Sequence, residues 1–129
     1  MKRKIVVILC LAFLFFSILL YYRGSNGYGD SFIEINSQRT SQDYDYTELV
    51  KGKINREDYV SYFSSKLGFV EMKSSFPNKR NLYFLQIEED WWDPPSRFDV
   101  GYYEINEHGT SGVISVFKDG VMYVQDFSW

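Results

Sequence analysis

The chain has 129 residues, 45% hydrophobic and 19% aromatic, with 14 Lys/Arg against 17 Asp/Glu, a single histidine and a single cysteine. Lys2, Arg3 and Lys4 take three of the cations, so residues 23–129 hold 11 against the same 17 carboxylates, a net −6. That balance excludes an electrostatic footprint for nucleic acid, and one cysteine excludes both a disulfide framework and a multi-thiolate metal site.

Residues 5–22 follow the three cations without a single charge. As a helix this run is roughly 27 Å long, close to the hydrocarbon thickness of a bilayer. Its Leu, Ile and Phe content, and Tyr21 and Tyr22 at the exit, suit a retained signal-anchor. The rival reading is cleavage before Tyr28, with Ser25 and Gly27 as the small residues of the site. Cys10 lies within the run as a small apolar filler. The cation bias holds the N-terminus in the cytoplasm and places the rest on the far side. The expected organisation is a transmembrane anchor over residues 1–22, a flexible glycine-containing tether over 23–30 and one extracytoplasmic domain over 31–129.

Within the domain, residues 31–36 form a short β-like run and residues 37–45 read as a polar loop. Residues 44–54 fit either a helical stripe or a strand broken at Gly52. A helix over 56–67 is the clearest element. Asn55 is its N-cap, Glu57 and Asp58 favour its N-terminal dipole, Tyr59, Tyr62, Phe63 and Leu67 share a face, and Gly68 stops it. Strands are expected over 69–74, 82–88 and 98–106, with a bulge beside Gly101 where the apolar phase slips. Two last strands, 112–117 and 121–127, form a hairpin. A three-residue loop Lys118-Asp119-Gly120 is preferred there, because it pairs Ile114 with Val124 and Val116 with Met122 on one apolar face. The fold class is α+β: an N-terminal transmembrane helix, then one small domain with a helix packed on a four- to five-stranded, mostly antiparallel sheet.

The most unusual local sequence is Glu88-Glu89-Asp90-Trp91-Trp92-Asp93-Pro94-Pro95. Two indoles among four carboxylates suit a protein hot spot or the stacking and hydroxyl recognition of a sugar. They equally suit a loop whose rings close one end of the sheet, since one Trp can pack inward while its neighbour points away. Trp91, Trp92, Glu89, Asp90 and Asp93 are the candidate binding residues. The carboxylate spacing does not match an EF-hand loop, and Asp43-Tyr44-Asp45 has no further ligand series after it. His108 lies in a strand connection and belongs to no nucleophile motif. No catalytic residue, metal ligand or cofactor is assigned.

These features predict a small single-pass membrane protein of the cell envelope. Its domain is expected to be a non-enzymatic protein-interaction module, of which an immunity or inhibitor protein is one version. The partners are the membrane, through residues 5–22, and an envelope or secreted protein. The alternative is a glycan or cell-wall binding module using the Trp91/Trp92 acidic loop.

Overall fold

The computed structural model of the protein describes residues 2–24, 27–76 and 87–129. In chain order the elements are α1 (Lys2–Gly24), β1 (Ile33–Gln42), β2 (Asp45–Lys53), α2 (Arg56–Ser64), β3 (Val70–Met72), β4 (Val100–Ile105), β5 (Ser111–Lys118) and β6 (Val121–Ser128). Among the described residues the architecture is α+β, with two helices and one six-stranded antiparallel sheet in the order β1-β2-β6-β5-β4-β3.

Six strands replace the expected four to five. Residues 37–42, expected as loop, complete β1, and Asp43 and Tyr44 make the turn into β2. β1 lies at the sheet edge and is mostly exposed, so it carries no apolar alternation from which a strand is read. β2 continues through Gly52, where an added Cβ would collide with the Phe32 ring. Residues 82–86 of the expected 82–88 strand lie outside the described residues, and Ile87 and Glu88 belong to no strand.

Both faces of the sheet are buried. One face carries Val50, Val100, Tyr102, Phe117, Met122 and Val124 against Tyr59 and Phe63 of α2. On the opposite face Leu49, Ile114, Val116, Tyr123 and Phe127 pack with Met72, Trp92 and Phe98. We call these the helix face and the loop face. Since every neighbouring pair is antiparallel, β2 and β3 run in the same direction, and α2 carries the chain between them across the helix face.

Double burial explains two corrections. β4 and β5 pair without a break from Val100↔Phe117 to Ile105↔Gly112, so there is no bulge beside Gly101. The apparent phase slip arises because Val100 and Tyr102 serve one core while Tyr103 and Ile105 pack on the other. The last hairpin likewise turns on two residues, Asp119 and Gly120, at φ 50° and 79°, and pairs Phe117 with Met122 and Ile114 with Gln125. Consecutive left-handed residues match the twist of the flanking strands. The three-residue loop assumed that only one face needed to be apolar.

Asn55 caps α2 as expected, its side chain accepting from the Asp58 N–H at 2.7 Å. The helix ends at Ser64 rather than at residue 67, and Leu67 is 96% exposed. Ser65 donates its hydroxyl to the Tyr62 carbonyl at 3.0 Å, a local bond that competes with helix propagation. Gly68 adopts the expected left-handed conformation at φ 86°. The expected 69–74 strand is the three-residue β3.

Ahead of β1, the Tyr28 ring packs at tilted angles against Phe32, Tyr62 and Phe63. Burial, reinforced by Tyr62, raises its hydroxyl pKa. Ser31 ties the same segment to α2, donating its N–H to Asp58 Oδ2 at 2.9 Å and accepting from the Asn55 N–H at 3.0 Å. The Ser31 hydroxyl also donates to Asp58 Oδ2, and this bond, followed by that of the Ser31 N–H, holds the Asp58 carboxyl below its usual range.

α1 is 23 residues long. Among the described residues, no helix is long and apolar enough to cross a membrane. Over residues 5–18 of α1, whose side chains are described, the expected transmembrane helix is not found. Its apolar residues within that stretch, from Ile5 to Ile18, are all exposed, between 46% and 76%.

Candidate functional site

The acidic tryptophan segment crosses the loop face of the sheet. A tight turn, in which the Trp92 N–H donates to the Glu89 carbonyl at 2.9 Å, leaves the two indoles at different depths. Trp92 enters the core, 5% exposed, and meets Tyr123 edge-on with centroids 5.6 Å apart and planes at 83°. Trp91 remains half-buried at the rim, edge-on to Trp92 at 5.7 Å and 87°.

Two of the carboxylates point back to the sheet. Asp93 Oδ1 accepts from Lys51 Nζ at 2.5 Å and from the Tyr123 hydroxyl at 3.1 Å. Lys51 also donates to the Trp91 carbonyl at 3.3 Å, and its ammonium lies 5.3 Å from the Tyr123 ring centroid. The Lys51 bond holds Asp93 below the ordinary carboxylate range, against an opposing contribution from burial. For Lys51, burial pulls downward, but the bond to Asp93 and its negative neighbours leave the ammonium pKa raised. Burial, then the charge of Asp93, raises Tyr123. Glu89 Oε1 accepts from Gln38 Nε2 on β1 at 2.9 Å. The five expected site residues therefore divide: Trp92, Glu89 and Asp93 fasten the loop to the sheet, whereas Asp90 is exposed beside Trp91.

The other sequence candidates lie apart from this loop. Asp43 and Asp45 flank Tyr44, 97% exposed, at the β1–β2 turn. His108 sits on the exposed β4–β5 connection, its Nε2 3.3 Å from Glu107 Oε1. Among the described residues, no three His, Cys, Asp or Glu side chains gather as a metal site.

Sequence reasoning missed the concave surfaces. On the loop face a cavity of about 310 Å³ is lined by Gln38, Thr40, Thr47, Leu49, Glu89 and Trp129, among others. An adjoining one of about 340 Å³ is lined by Ile105, His108, Ile114 and Phe127. Gln125 and Trp129 belong to both. Gln125 is 3% exposed, and its Oε1 has no hydrogen-bond partner among the described residues. Trp129 is positioned by its N–H bond to the Thr110 carbonyl at 2.8 Å and by Phe127, 4.7 Å away between ring centroids. A third cavity, of about 250 Å³, opens on the helix face between Tyr28, Tyr62 and Lys66 and the opposed carboxylates of Glu48 and Asp126. The signal for the loop-face pair was a glutamine directly after the apolar run Val121–Val124, and only the register shows where it points.

No family model matches the chain, and neither a curated protein nor a solved structure matches it.

Proposed function

We propose that this protein is a small single-pass, membrane-anchored interaction module of the cell envelope, with its N-terminus cytoplasmic and its domain extracytoplasmic. It acts without catalysis, by binding an envelope or secreted protein through Trp91 and the acidic residues beside it. An inhibitor or immunity role, opposing a basic partner, is one form of this activity.

The observation that carries the reading is Trp91. Its backbone carbonyl is held by Lys51 and its ring braces on a core tryptophan, so a large aromatic side chain stands at the rim on a rigid support. Exposed Glu88 and Asp90 flank it. An aromatic anchor with a polar surround is the usual anatomy of a binding hot spot, and preorganisation lowers the entropy cost of association. The anchor reading rests on the 18 uncharged residues 5–22 after three cations. It is supported by the exposed large apolar side chains of α1 between Ile5 and Ile18, a pattern that water does not favour and a bilayer does.

Crosslinking and co-purification from native membranes tests the proposal. A discrete protein captured by the wild type and lost in a folded Trp91→Ala variant is the expected result. Recovery of the wild-type protein in the soluble fraction, or an unchanged set of captured proteins in the variant, refutes it.

A further inference from the structure

We infer that the paired loop-face cavities joined at Gln125 bind a saccharide, with the Gln125 amide oxygen accepting a hydroxyl hydrogen bond and Trp129 covering the apolar face of a sugar ring.

Gln125 is an energetic anomaly. A buried acceptor without a partner costs roughly 1–3 kcal/mol, and buried polar side chains are nearly always satisfied. Among the described residues Gln125 Oε1 is such an acceptor, on a residue 3% exposed that lines two adjoining cavities. A β-strand position flanked across the sheet by Leu49 and Ile114 would pack an apolar residue more cheaply. An amide there makes sense if a donor arrives from outside.

The surrounding chemistry limits what that donor belongs to. Thr40 and Thr47 are directly opposed on the same face and offer hydroxyls, while the Gln38–Glu89 pair adds a carboxylate acceptor and an amide. Leu49, Ile114 and Phe127 supply apolar wall. Trp129, 53% exposed, stands over both cavities. Many neutral donors and acceptors around an apolar, aromatic surface match a pyranose, which has hydroxyls at its edge and C–H groups on its face. A phosphate or carboxylate ligand would meet Glu89 in a cavity that no cation lines among the described residues. Each cavity falls at the small end of the range for ligand sites.

This site lies beyond the protein-binding role of Trp91, which lines neither cavity, and its test separates the two. Full-length protein in lipid nanodiscs, prepared without sugar-based detergent, is titrated with glucose, galactose, N-acetylglucosamine, cellotriose and chitotriose while saturation-transfer NMR reports binding. At least one saccharide should bind the wild type. Gln125→Leu should weaken it at least tenfold while leaving the Tm unchanged or raised, because the variant removes an unpaired acceptor without emptying the site. Trp129→Ala should weaken binding similarly. Trp91→Ala should leave saccharide binding intact while losing the protein partner. Absence of signal with every saccharide, or binding that survives in both Gln125→Leu and Trp129→Ala, overturns the inference. So does a lower Tm in Gln125→Leu without saccharide binding, which would assign the acceptor to a buried water.

Discussion

Lys51 and Asp93 stand 42 positions apart in the sequence and 2.5 Å apart in space, tying the middle of β2 to the last acid of the tryptophan segment. This tie positions the Trp91 carbonyl as well, so the display of the proposed anchor depends on one lysine.

The pH dependence of that tie follows from the two shifts. Asp93 is lowered, so its contribution is present above the unfolded carboxyl value near ~3.9 and fades as pH falls through the depressed native value. Lys51 is raised, so its contribution holds below ~10.4 and is lost as pH climbs through the elevated native value. Tryptophan emission should therefore stay constant between pH ~4 and ~10 and change outside that window. Asp93→Asn should remove the Lys51-dependent acid limb. Its side chain is 68% exposed, so the stability loss at neutral pH should be under ~1 kcal/mol.

The two indoles should respond oppositely to truncation. Trp92→Ala empties a core site and should cost about 3–5 kcal/mol in denaturant unfolding. Trp91→Ala, at the rim, should cost about 1 kcal/mol while abolishing partner capture. Equal destabilisation by both would mean that Trp91 is a core residue.

Gly101 is required by close packing. A Cβ there would lie 2.8 Å from Met72 Cε, 2.9 Å from the Ser115 carbonyl oxygen and 3.0 Å from the Phe98 ring. Gly101→Ala should destabilise by about 1–3 kcal/mol in the same unfolding assay, because a backbone oxygen cannot move aside as a side chain can.

Asn55→Ala should cost about 1 kcal/mol, whereas Asn55→Asp or Asn55→Ser should keep most of the cap. Thermal melts of the three variants check this. Because Asn55→Ala keeps the backbone N–H that Asn55 donates to Ser31, amide exchange around residues 28–32 should stay close to that of the wild type.

The legible parts of the fold were those where one residue carries a local rule. Asn55 marks the start of α2 because an N-cap needs only its own chemistry, whereas Gly68, left-handed as expected, lies beyond the C-cap Ser65 and does not stop the helix. Leu67 misled, since helical spacing cannot show that α2 has already stopped turning toward the sheet. β1 was illegible beyond residue 36 because an exposed edge strand needs no pattern. The hairpin register failed for a more instructive reason. Pairing Ile114 with Gln125 looked wrong on a one-sided sheet, and both cores together enforce it. At the candidate site, the sequence singled out the Trp91/Trp92 segment but not Lys51, Tyr123 or Gln38, whose proximity exists only after folding. Gln125 was visible only as an inconvenience to the register.

Photocrosslinking from position 91 in native membranes tests the central claim most directly. A photoreactive amino acid replaces Trp91 in the full-length protein, with a second sample carrying it at Lys118. The account predicts one discrete protein adduct from position 91 and none of that mass from position 118. Identical adducts from both positions, or none from position 91 in protein that sediments with the membranes and remains folded, would contradict it.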